Sequence, residues 1–236
     1  MELKIASYNV QHFSEFYSNR VDYPLFAKTI RGLGADIVGL NETYGENSKF
    51  GALPQAEYIA KELGFYWYFA EAIYLPWGGK YGNSVLSRFP LKNQRTVVIP
   101  DPEERKYDGY YETRCVLCCT AETEAGDIDI AVTHFGLNPD EHENAVGTIV
   151  PLIREKRFVL MGDFNVRPKN PVLAPIRERL TDTAAFLGEN RLSFPADKPD
   201  RKIDYLFVSQ DIATLHADIP PFVVSDHRPY TATVRF

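Results

Sequence analysis

Residues 158–165 read FVLMGDFN, an apolar run from Phe158 to Gly162 that ends abruptly on Asp163 and Asn165. A short apolar run closed by turn-forming residues reads as a fully buried strand. The same pattern recurs along the chain. Asn9 ends the run Leu3–Val10, Glu42 follows DIVGLN, His134 follows IDIAVT, and Asp226 with His227 precedes the run Thr231–Phe236. Further strands are expected over Asp36–Leu40, Tyr66–Ala70, Ser84–Ser87, Arg114–Ala121, Ile128–Thr133 and Ile203–Val208, and helices over Tyr23–Leu33, Leu53–Leu63 and Glu141–Arg154. Strands interspersed with amphipathic helices imply layers of sheet covered by helices. Each polar residue at the mouth of a strand has an ordinary reading by itself, as a turn former, a cap or a solvated charge. Together they predict one rim where a site forms on a rigid scaffold.

Outward from these runs, no linker or composition shift divides the chain, so residues 1–236 are read as a single α/β domain. With 44% hydrophobic and 25% charged residues among 236, the chain can bury a core without disulfide staples. No apolar stretch approaches the roughly 20 residues of a membrane-spanning helix. The opening MELKIASYNV has no basic flank ahead of an apolar block. The expectation is a cytoplasmic protein without stable membrane insertion. No protein partner follows from the sequence. The formal charge of −6 argues against a broad surface that tracks nucleic-acid phosphates. Cys115, Cys118 and Cys119 crowd one strand, RCVLCCT, with no further cysteine to complete a metal knuckle, so they read as small buried hydrophobes.

YNVQHF, DIVGLNE, YGNSVLSRFPL, THFGL, LMGDFN, KIDYLFVS and SDHRPY occur in an order that resembles the endonuclease/exonuclease/phosphatase superfamily of metal-dependent phosphohydrolases. The likeness runs from Lys4 to Arg235. It implies a DNase I-like four-layer α/β/β/α sandwich, two mixed sheets face to face with helices outside, and a site at one edge of the sheets. It also implies that His227 is the general base, that Asp204 orients it, and that His134 contacts phosphate or helps the leaving group.

The chemistry of the residues points the same way. Hydrolysing a phosphate ester calls for a cation on the non-bridging oxygens, an activated water and help for the leaving oxygen. Glu42 is a hard carboxylate suited to Mg²⁺ or Mn²⁺, with Asn9, Asp226 and Gln11 as further candidates for its shell. Asp163 and Asn165 flank a single residue, so both can face the cleft, one to orient water and the other to donate to a phosphoryl oxygen. Arg114 and Asn83 are candidate phosphate contacts. Gln11 stands where the abasic-site nuclease branch carries Asp, and His134 where it carries Tyr. Both departures favour the branches of DNase I-like nucleases, sphingomyelinases and inositol-phosphate phosphatases.

The reading is therefore a Mg²⁺-dependent phosphoesterase acting by in-line water attack, with a small or lipid-type phosphate ester preferred. A DNA or RNA nuclease is the alternative within enzymes. A catalytically silent binding module of the same fold is the alternative outside them. Loops at Phe13–Tyr23, Tyr74–Tyr81, Pro100–Thr113 and Arg191–Arg201 are expected to line the rim and set the substrate.

Overall fold

Alternation of apolar residues along each central strand places one set of side chains between two sheets and the other set beneath helices. A computed structural model describes residues 1–236. In chain order it has β1 (Glu2–Asn9), α1 (Tyr23–Leu33), β2 (Ile37–Tyr44), α2 (Gln55–Leu63), β3 (Tyr66–Leu75), β4 (Gly79–Ser87), β5 (Leu91–Val98), β6 (Cys115–Thr123) and β7 (Gly126–His134). Then come α3 (Pro139–Ile149), β8 (Phe158–Asp163), α4 (Ala174–Arg177), β9 (Leu180–Asp182), β10 (Asp204–Ser209), β11 (Ala213–Asp218) and β12 (Tyr230–Arg235). One six-stranded sheet has the order β11-β12-β1-β2-β4-β3, and the other β5-β6-β7-β8-β10-β9. Each sheet is mixed. Its parallel pair is β1 with β2 in one and β7 with β8 in the other.

The sheets face each other across a core that includes Ile5, Ile37, Val132, Met161 and Leu206. On the outer face of the first sheet, Val38 and Leu40 pack with Phe26 and Ile30 of α1 and Ile59 of α2. Ala131, Leu160 and Phe207 of the second sheet pack with Ala145 and Ile149 of α3 and Ile176 of α4. This is the four-layer α/β/β/α sandwich. Cys115, Cys118 and Cys119 are free and buried in it, and burial pushes the Cys115 and Cys119 thiols up to about 12. No helix is long and apolar enough to cross a membrane.

Three strands that the periodicity did not mark, β5, β9 and β11, all lie at sheet edges. An edge strand is buried on fewer sides and need not be apolar. β5 carries Lys92, Asn93, Gln94 and Arg95 in its interior, and β11 is bulged between Thr214 and His216. The helix expected over Glu141–Arg154 is shorter. It begins at Pro139, where the Glu141 carboxylate accepts from the main-chain nitrogens of Leu137 and Asn138, and gives way to a 3₁₀ turn over Val150–Leu152 that contains Pro151. The four-residue α4 was not expected.

Two glycines set how closely the central strands approach. A Cβ on Gly39 would lie 2.5 Å from the sulfur of Met161 on the facing sheet, so its absence lets the layers close near the rim. Gly162 has φ +149°, and a Cβ there would lie 1.8 Å from the carbonyl oxygen of Thr133 on the neighbouring strand. Backbone overlap and φ strain act together at Gly162. Gly162→Ala is therefore expected to cost on the order of 3 kcal/mol. Urea unfolding checks this. A midpoint equal to that of the parent chain would show that β7 and β8 can separate freely.

Candidate active site

Period-2 alternation carries each inter-sheet core column one step further into a polar residue. Ile5 and Ser7 lead to Asn9, Ile37 and Gly39 to Asn41, Ile130 and Val132 to His134, and Val159 and Met161 to Asp163. Strand register then brings these ends together. Asn9 pairs with Asn41 across β1 and β2, His134 with Asp163 across β7 and β8, and Asp204 with Asp163 across β10 and β8. Asp204, Asp163, His134 and His227 are nearly inaccessible, at 0, 1, 4 and 4% exposure.

One carboxylate oxygen is the meeting point. Oδ2 of Asp163 accepts from Asn9 Nδ2 at 3.2 Å and lies 3.5 Å from His227 Nε2 and 3.6 Å from His134 Nε2. Its Oδ1 accepts from the main-chain nitrogen of Asn165 at 2.9 Å. Asn9 Nδ2 also donates to Glu42 Oε1 at 3.0 Å, and Asn9 Oδ1 accepts from Gln11 N at 3.1 Å. The amide of Asn9 thus turns its donor toward both carboxylates and holds Glu42 in place. His227 Nδ1 meets Asp204 Oδ2 at 2.9 Å.

The two rim histidines are driven in opposite directions. Burial acts to lower His227, but the charges of Asp204 and Asp163 outweigh it and push the imidazole up to about 10. His134 is held well below its usual range by burial and then by Arg114 and His227. Burial pushes Asp163 up to about 7, with His227 acting against it. With the charges of the chain alone, the Asp163–His227 pair keeps its proton on His227. Asp226 is raised by burial and also by Glu42, with His227 opposing.

The donor set fits a hard divalent cation. Glu42 keeps one oxygen, Oε2, that makes no hydrogen bond and lies 3.8 Å from Nε2 of His12, an imidazole that burial pushes below its usual range. Asp226 feels the negative charge of Glu42, and neither thiolate nor a histidine cluster stands with them. Donor atoms of Asp163, Asp204 and His227 also lie within 4.8 Å of one another. That group spends its atoms on its own acid–base contacts, whereas Glu42 Oε2 makes no hydrogen bond.

Several residues differ from what their sequence positions suggested. Asn83 does not face the rim freely: its Oδ1 accepts from Asn41 at 2.8 Å and its Nδ2 donates to Cys115 O at 3.1 Å, so both ends are used between the sheets. Arg114 is engaged by Glu112 Oε1 at 2.8 Å and by His134 Nδ1 at 3.0 Å. Gln11 meets the site through its main chain. Asn41, Glu112 and His12 were not anticipated. Asn41 Nδ2 donates to Thr133 O at 2.8 Å, and its Oδ1 accepts from Asp163 N at 2.9 Å, joining the two sheets. His12 packs among Tyr44, Phe50 and Tyr81, with Nδ1 3.2 Å from Glu42 O. Backbone strain gathers here too, with φ of +42°, +60° and +61° at Gln11, His12 and Phe13, +61° at Glu42 and +50° at Asn165.

Asn41→Ala would leave Asn83 Oδ1, Thr133 O and Asp163 N without their partner in a dry layer. The expected loss is on the order of 3 kcal/mol in denaturant unfolding. Unchanged stability would mean that water or a neighbouring group replaces all three bonds.

Residues 6–227 match the Endonuclease/Exonuclease/phosphatase family. The chain is 24% identical over 253 residues to the protein YbhP of Escherichia coli K12, covering 98% of this chain and 95% of that one. An endonuclease/exonuclease/phosphatase family protein from Leptotrichia buccalis superposes with a TM-score of 0.79 at 18% identity, covering 99% of this chain and 100% of that one. A mannosyl-6-phosphatase from Bacteroides thetaiotaomicron gives 0.77 at 18% identity, with 99% and 100% covered. At such identities the likeness to these structures is one of fold.

Proposed function

The chain belongs to the endonuclease/exonuclease/phosphatase family, whose members are hydrolases acting on phosphate esters, and on that premise we propose that it is a divalent-metal-dependent phosphoesterase. The observation that carries this reading is the convergence of Asn9, His134 and His227 on one oxygen of Asp163, beside the oxygen ligands of Glu42 and Asp226. Glu42 and Asp226 would hold Mg²⁺ or Mn²⁺, with Asn9 fixing Glu42. A bound ion would supply positive charge to the non-bridging oxygens and would weaken the hold of the neighbouring carboxylates on the His227 proton. Asp163 orients the attacking water. His227, steadied at Nδ1 by Asp204, takes its proton. His134 and Asn165 face the phosphoryl oxygens, and displacement proceeds in line without a covalent enzyme intermediate.

A compact phosphate ester is the preferred substrate class. A net charge of −6 gives little counterion release on a duplex. The structurally similar mannosyl-6-phosphatase is named for a small phosphate substrate. Turnover of p-nitrophenyl phosphate esters, inositol phosphates, sugar phosphates and plasmid DNA should be compared at roughly 50 and 200 mM salt. Efficient, salt-sensitive nicking with little small-ester turnover would move the reading to a nuclease.

Excess chelator is expected to abolish activity, and Mg²⁺ or Mn²⁺ to restore it. Glu42→Gln should raise the metal concentration needed for half-maximal rate. Full turnover in chelator would contradict the metal assignment.

His227→Ala should lower kcat by about two to four orders of magnitude without unfolding the chain. Asp204→Asn should have a milder effect, because the imidazole remains and loses only its orienting charge. Near-normal turnover by His227→Ala would remove His227 as the base.

A further inference from the structure

Arg114 and Glu112 lie beside the reacting groups but take no part in activating water. Glu112 ends the rim loop, where its main-chain nitrogen donates to Glu141 Oε1 at 3.3 Å and its Oε2 accepts from Tyr110 at 3.2 Å. Both side chains of the Glu112–Arg114 pair are about a tenth exposed, at 10 and 11%. The same guanidinium nitrogen that meets Glu112, Nη1, lies 3.0 Å from Nδ1 of His134.

A guanidinium offers donors and no acceptor. A proton on His134 Nδ1 would therefore set two donors, one of them cationic, against each other at 3.0 Å. In the other tautomer Nδ1 accepts from Arg114, and the proton sits on Nε2, 3.6 Å from Asp163 Oδ2. The competing contact is Asn165 Nδ2, 3.3 Å from His134 Nε2. It is longer and neutral, and charge-assisted bonds are roughly twice as strong as neutral ones. The amide orientation of Asn165 is set independently, by donation to Phe135 O at 3.1 Å.

We infer that Arg114, itself held by Glu112, is a positioning residue that locks His134 in the neutral Nε2–H tautomer, so that His134 and Asn165 present two N–H donors to one phosphoryl oxygen. His227 is wired in the opposite sense, because Asp204 at its Nδ1 calls for a proton there and frees Nε2 for exchange. Burial together with the Arg114 charge also keeps His134 unprotonated. One rim thus carries a histidine built to trade a proton and another built to keep one. The purpose of the lock rests on the phosphoesterase reading; the tautomer is a property of the free chain and is measured without substrate.

The test is histidine-ring ¹⁵N NMR at neutral pH on the full-length protein with ¹⁵N-labelled histidine. Its five histidines leave the His134 signals to be assigned by their loss in His134→Gln. The wild-type protein is expected to show His134 as neutral Nε2–H. Arg114→Met should release it to a mixture with Nδ1–H, and Arg114→Lys, which keeps a charged donor, should retain the wild-type form. With a p-nitrophenyl phosphate ester, Arg114→Met should lower kcat about 100-fold, and Arg114→Lys should stay within about tenfold of wild type. An Nδ1–H or doubly protonated His134 in the wild-type spectrum overturns the lock, and so does an unchanged tautomer in Arg114→Met. Where Arg114→Met does not fold, Glu112→Gln, which removes the charge that holds Arg114, takes its place, and an unchanged tautomer there overturns the lock. If the tautomer is as expected but no phosphate ester is turned over, the lock stands and the phosphoesterase reading falls.

Discussion

The site depends on two sheets being held in contact at one rim, and the carboxamide of Asn41 holds them there. It stands on β2, donates across the gap to Thr133 O on β7, and accepts from the main-chain nitrogen of Asp163 on β8. Gly39, on the same inward face, leaves the room this approach needs. With Asn9, which donates from β1 to Asp163, and Asn83, which donates from β4 to Cys115 O, Asn41 fixes the Glu42 half of the site against the Asp163, His134 and Asp204 half. Amide-to-backbone bonds are directional, so they fix a separation that apolar contact alone leaves loose.

The same closeness creates an electrostatic problem that the rim residues resolve among themselves. Asp163 and Asp204 are adjacent in strand register and almost fully buried. Two carboxylates in that position repel, and burial penalises both charges. Asp204 is balanced by His227, which gains a proton in consequence, while Asp163 is served by Asn9, the Asn165 nitrogen and the shared approach of His227. Glu42 and Asp226 also sense each other's charge, and burial together with Glu42 raises Asp226.

Much of this was legible from the sequence because strand ends are marked by a change from apolar to polar. Asn9, Glu42, His134, Asp163, Asn165, Asp226 and His227 are all found by that change, and the structure brings them to one rim. Asn41 was hidden because it sits directly beside Glu42 in the same polar step, and the charged neighbour drew the reading. Glu112 was hidden for a different reason: it lies in a rim loop, where periodicity carries no information, and its meaning depends on Arg114 two residues on. His12 follows a strand end in an aromatic segment and shows its relation to Glu42 only through a left-handed backbone. The edge strands β5, β9 and β11 escaped notice because an edge need not be apolar to be paired.

The rim loop Pro100–Thr113 is tied to a rigid element. Its main chain at Lys106 donates to Asp140, Tyr111 donates to the same carboxylate, and Glu112 N donates to Glu141. Asp140 and Glu141 occupy the first turn of α3, where a negative charge is favoured by the exposed main-chain nitrogens. The helix that covers the second sheet thus anchors the loop through charges its own N-terminus stabilises. Glu112, at the end of that loop, then reaches Arg114, and Arg114 reaches His134. Tyr107 and Tyr110 of the loop are exposed, and Tyr110 donates to Glu112 Oε2, so a change at Tyr110 acts on that same chain of contacts. A change that frees Glu112 reaches His134 through Arg114.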